Sequence, residues 1–131
     1  METKTPGDIK PGLKLSWSRL VSEEDIARFA EISGDRGSHH VEKDASGRLL
    51  AQGLLTATLP TKLGGDANFI ARDMHFEFLR PVYSGDALTC VGTVESVEPE
   101  QKRLKVVFSF EITNQNGKIV LRGASSGVIL L

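Results

Sequence analysis

Apolar and polar residues first alternate in "LKLSWSRL", where Leu13, Leu15 and Trp17 oppose Lys14, Ser16 and Ser18. A period of two is that of a strand with one buried face. The period then lengthens. Ser22 stands where a helix N-cap belongs, Glu23, Glu24 and Asp25 suit the positive end of a helix dipole, and Ile26, Phe29 and Ala30 follow at helical spacing. Gly34 supplies the stop. "SEEDIARFAEISG" therefore predicts a short amphipathic helix, left by a polar loop from Asp35 to Asp44.

In "AQGLLTATLPTKLGG", Leu54, Leu55, Thr58, Leu59 and Leu63 form a nearly unbroken apolar stripe that Gly64-Gly65 ends. Such a helix must be covered on most sides, and Pro60 inside it predicts a kink or an early end. From Asn68 onward the period of two returns. Met74, Phe76 and Phe78 alternate with His75, Glu77 and Leu79, and "ALTCVGTVESVEP" and "KRLKVVFSFEITN" alternate in turn. "NQNGK" reads as a hairpin turn before the last strand, "IVLRGASSGVILL". The order is strand, helix, buried helix, then four long antiparallel strands. It predicts an α+β fold whose curved antiparallel sheet wraps a central apolar helix. Residues 1–12, loose and Pro/Gly-rich, read as a flexible lead-in to a single domain over residues 13–131.

Composition narrows the function classes. A formal net charge of −1 argues against nucleic acid, which calls for a basic stripe. Cys90 is the single cysteine, so no internal disulfide forms, and its place in a strand-like run suits a small buried side chain. No apolar run approaches the ~18 residues of a membrane span, and the start lacks a signal peptide's apolar core. A cytoplasmic protein with no membrane partner is the expectation. Metal-ligand spacings and a glycine-rich phosphate loop are both missing, so no metal or cofactor is expected.

The candidate chemistry lies in "SGDRGSHHVEKD", where His39 and His40 closely follow Asp35. A carboxylate and an imidazole that share a water can take one proton from it and deliver another to carbon. An Asx turn at Asp35 and a plain loop role for His40 would explain the same residues without chemistry. Gly53, at the start of the apolar helix, either serves close packing or lets an oxygen approach unpaired amides. Asp66 or Asn68 is expected near the mouth of a site, and His75 reads as an ordinary sheet residue.

Four segments in order resemble the MaoC-like hydratase branch of the hot-dog-fold proteins, which includes the (R)-specific enoyl-CoA hydratases. "FAEISGDRGSHHVEKD" resembles the family's "FA..SGD.NP.H.D", and "AQGLLTA" resembles "AHGML.A". "FLRPVYSGDALT" resembles "F..PV..GD.L", and "NQNGKIVLRGAS" resembles "NQ.G..V..G.A". The resemblance covers almost the whole chain from Val21 and implies a hot-dog domain. It implies that Asp35 and His40 are catalytic, that the Gly53 amide binds a thioester oxygen, and that Gln52, Leu54 and Arg80 line the substrate's path. It selects His40 over His39, which is left to solvent, and gives Glu42 a loop-anchoring role. Gly37-Ser38 replaces the family's Asn-Pro, Gln52 replaces a histidine, and the segment between His40 and Gly53 is shorter.

The implied reaction is reversible hydration of a trans-2-enoyl thioester of coenzyme A or acyl carrier protein to the (R)-3-hydroxyacyl thioester. It consumes no cofactor. The implied assembly is a homodimer or a dimer of dimers, because an open sheet edge on a small domain calls for a partner. Two alternatives share the fold: an acyl-CoA thioesterase, and a non-catalytic acyl-thioester binder.

Overall fold

A computed structural model describes residues 4–131. Strand β1 (Lys14–Leu20) is followed by helix α1 (Glu23–Ser33), a single helical turn α2 (Ser38–Val41), and helices α3 (Gly53–Thr56) and α4 (Thr58–Asp66). Strands β2 (Phe69–Phe78), β3 (Ala87–Glu100), β4 (Arg103–Thr113) and β5 (Ile119–Leu130) complete the chain. All five strands join one antiparallel sheet in the order β1-β3-β4-β5-β2. The α+β architecture follows the sequence pattern.

Local chemistry sets the element ends. Ser22 accepts the Asp25 amide while Asp25 accepts the Ser22 amide, both at 3.0 Å, a reciprocal cap on α1. Gly34 then takes a left-handed conformation at φ 77°, which ends the helix. At the β4–β5 hairpin, Asn114 Oδ1 accepts the amides of Asn116 and Lys118, so the turn expected of "NQNGK" forms.

Helix α4 packs against β1, β2 and β3 and is the axis of the core. Leu59 and Leu63 are fully buried with Phe108, Ile112, Leu121 and Val94 from the sheet. Each such side chain contributes roughly 1.5–3 kcal/mol relative to an exposed one. Phe69 meets Phe108 edge to face at 4.9 Å, which closes the core at the start of β2.

Several expectations change here. The central helix is broken not at Pro60 but at Ala57, whose φ of −68° and ψ of −5° end α3 and begin α4. The restart leaves Pro60 in the first turn of α4, where a missing N–H costs no helical bond. Gly64-Gly65 does not stop the helix, which runs on to Asp66. Leu54 is 60% exposed rather than part of the buried stripe. On β2, an edge strand, Met74 and Phe78 are half-exposed despite their alternation. Residues 4–12 join the domain: Ile9 is buried, and the Gly12 amide donates to Val94 O at 2.8 Å. Residues 1–3 of the expected lead-in lie outside the described residues.

Candidate active site

The turn after α1 fixes one carboxylate in two directions. The Asp35 amide donates to Ser33 Oγ at 3.0 Å, and Asp35 Oδ1 accepts the Gly37 amide at 3.2 Å. This Asx turn occupies one oxygen and aims the other, Oδ2, at His40 Nε2, 3.3 Å away. The turn and the pairing coexist, so the loop role of Asp35 does not exclude the chemical one. The carboxylate is half-exposed, whereas the His40 side chain is 7% exposed.

His40 reaches inward because α2 turns it under the loop. Its Nδ1 lies 2.6 Å from the Leu50 carbonyl oxygen, while the Leu50 amide donates to His39 O at 2.9 Å. A carbonyl can only accept, so Nδ1 carries a proton. In the neutral ring, Nε2 is then an acceptor facing another acceptor, Asp35 Oδ2. A water beside the pair can donate to both; in the protonated ring, Nε2–H donates to the carboxylate instead.

Next to this pair opens a cavity of about 370 Å³, lined by residues that include His39, His40, Gly53, Thr56, Phe78 and Val82. Gly53 is the first residue of α3, where amides have no partner inside the helix. A Cβ at Gly53 would lie 2.9 Å from Phe78 Cε1. Only a residue without a side chain leaves this amide open beside an unshifted ring.

The remaining expected residues divide. Arg80 lines the cavity, and its Nη1 is held by the Ile119 carbonyl oxygen at 2.5 Å. Gln52 is buried and donates from Nε2 to Ile26 O at 3.1 Å; it is not among the lining residues. Leu54 is also outside the lining, since its neighbouring place on the helix turns it to solvent. Asp35 is not among the lining residues and is joined to the cavity through His40. His39, exposed as expected, nevertheless lines the cavity, with its ring centroid 4.0 Å from that of His40. Asp66 is buried against Lys62 at 2.5 Å in a separate depression beside β1, and Asn68 sits in a left-handed turn. Neither is at the mouth.

Phe78 and Val82 fall on fixed positions of "F..PV..GD.L" and Thr56 on the open position of "AHGML.A", yet the sequence assigned none of the three to the site. Phe78 carried a signal, its alternation on β2, but only the closure of the edge strand over α3 brings it to Gly53. Among the described residues no cluster of histidine, cysteine, aspartate or glutamate has the arrangement of a metal site. Cys90 is fully buried, and burial pushes its thiol up to about 12. No described helix is long and apolar enough to cross a membrane.

The model of the thioesterase superfamily matches residues 50–121, from Leu50 at the imidazole to Leu121 beyond the cavity wall. An (R)-specific enoyl-CoA hydratase of Rhodospirillum rubrum is 32% identical over 133 residues, covering 93% of this chain and 89% of the relative. The chain belongs to the MaoC-like hydratases of the hot-dog thioesterase superfamily. A 3-hydroxybutyryl-CoA dehydratase of Methylorubrum extorquens is 28% identical to this hot-dog chain, covering 88% of it and 78% of the relative. An R-hydratase of Pseudomonas aeruginosa, solved without ligand, superposes with a TM-score of 0.81 at 25% identity, covering 95% of this chain and 83% of that one.

Proposed function

We propose that the protein reversibly hydrates a trans-2-enoyl thioester of coenzyme A or acyl carrier protein to the (R)-3-hydroxyacyl thioester. The observation that carries this reading is the His40–Asp35 pair, 3.3 Å apart and tied through Nδ1 to Leu50, beside the open amide of Gly53 in one cavity. The hydratase and dehydratase relatives support the reaction class.

In the hydration direction, a water held by His40 Nε2 and Asp35 Oδ2 attacks C3 of the enoyl group. A new C–O bond forms as the C2=C3 π pair shifts toward C2 and the thioester oxygen. The pair takes one proton from the water, and a proton returns to C2, so both groups end as they began. The Gly53 N–H donates to the thioester oxygen while it carries the enolate charge. Water is the only co-reactant.

We also read the edge of β2 as the place where a second copy pairs, making a homodimer or a dimer of dimers. Ile70, Met74 and Phe78 on this strand, which has one unpaired edge, and Leu79 just past its end are each 42–53% exposed.

Crotonyl-CoA tests the reaction directly. Loss of enoyl absorbance without thiol release is the expected result. Thiol release would point to the thioesterase alternative, and neither signal to a binder.

A further inference from the structure

Two buried side-chain atoms among the described residues lack a hydrogen-bond partner: Gln52 Oε1 and Thr56 Oγ1. Both residues are 2% exposed, and they stand one helical turn apart around the start of α3. Gln52 is oriented by its Nε2 bond to Ile26 O at 3.1 Å, which leaves Oε1 as an unmet acceptor. Thr56 lines the same cavity as His40 and Gly53, together with the apolar Leu50, Val82 and Val120. A hydroxyl buried without a partner destabilises a protein, and proteins retain few of them.

Position suggests what the hydroxyl meets. Gly53 and Thr56 are three residues apart on one helix face, so Thr56 lies about 4.5 Å further along the axis. With a thioester oxygen at the Gly53 amide, an acyl chain running along α3 brings C4 or its substituent to Thr56. The attacking water belongs to His40 and Asp35, on another wall.

We propose that Thr56 determines acyl specificity, its hydroxyl pairing with a hydroxyl at C4 of the enoyl chain and favouring such substrates over plain alkyl ones. This rests on the hydratase reading above. Unmet hydrogen-bonding groups penalise the analogue that lacks the partner, and they do so more strongly than a hydrophobic wall rejects an added hydroxyl.

The test compares 4-hydroxy-2-butenoyl-CoA with crotonyl-CoA on the intact chain. The wild type is expected to prefer the hydroxylated substrate in kcat/KM by about tenfold or more, a preference that Thr56→Val abolishes and Thr56→Ser retains. The melting temperature of Thr56→Val without substrate should be unchanged or higher, because an orphaned hydroxyl contributes no internal bond. A wild-type ratio near one, a ratio unaltered in Thr56→Val, or a melting temperature several degrees lower would overturn the assignment. A protein that hydrates neither substrate would overturn the hydratase reading itself, and this assignment with it.

Discussion

Gly53 lies so close under Phe78 that a methyl group on its Cα would stand 2.9 Å from the ring's Cε1. Phe78 is half-exposed and can swing aside, so Gly53→Ala should fold with little loss of stability. The ring that the methyl displaces should then cover the amide. Hydration should fall on the order of 10²-fold, the scale of losing one oxyanion donor. Gly53→Ala with Phe78→Leu should recover part of that loss; no recovery would mean that the ring is irrelevant.

Asp35→Asn is a clean probe of the pair, since the amide oxygen can still accept from Gly37 and hold the turn. The NH₂ group then faces Nε2 as a donor and can no longer take a proton. Activity should drop about 10²-fold or more with unchanged circular dichroism. His40→Ala should do likewise. The double variant should be little worse than either single one, because a water held by both is lost when either goes. Full activity in Asp35→Asn would remove the carboxylate from the mechanism.

Cys90 makes a pH prediction. Its thiol rises from 9.0 to about 12 on folding, because burial penalises the thiolate. Above pH 9 the unfolded chain therefore binds fewer protons than the native one, and stability falls as pH rises, by about 1.4 kcal/mol per unit until the native thiol also titrates. Urea melts at pH 8 and pH 10 should show this decline, and Cys90→Ala should reduce it. In the native protein at pH 8 the thiol should resist alkylation.

Gly127 takes part in the seam between β5 and β2, where an added Cβ would collide with the Ile70 carbonyl oxygen. Gly127→Ala must push β2 away, and should cost about 1–3 kcal/mol in urea unfolding, as overpacking does. An unchanged midpoint would mean that the edge strand yields freely.

For assembly, light scattering at micromolar concentration should give at least twice the 14.2 kDa chain mass. Met74→Lys on the exposed β2 should shift the population toward the single chain. A monomeric wild type would refute the pairing.

The strands and α1 were legible because their signals are local: alternation in Val106, Phe108, Phe110 and Ile112, and the reciprocal cap of Ser22 and Asp25. The break at Ala57 was not, since Pro60 announces that a helix must end or restart nearby without saying where. At the site, Asp35, His40 and Gly53 were picked out by the family resemblance rather than by spacing; His40 and Gly53 line one cavity, and Asp35 meets His40 at 3.3 Å. Gln52 and Leu54 flank Gly53 in sequence, yet helix geometry turns one inward to α1 and the other outward. Phe78 and Thr56 depend on which elements meet, information that no single segment holds.

The clasp between residues 39–40 and Leu50 has a consequence for how this protein can be remodelled. Two bonds, His40 Nδ1 to Leu50 O and Leu50 N to His39 O, close the base of the intervening segment on both sides. Whatever hangs from that base, the imidazole stays where the clasp holds it. Lengthening a loop raises its closure cost only slowly, about 0.6 kcal/mol per doubling. The stretch from Lys43 to Arg48 is thus a graft point, where a longer cover could be spliced over the cavity without moving the ring beneath it.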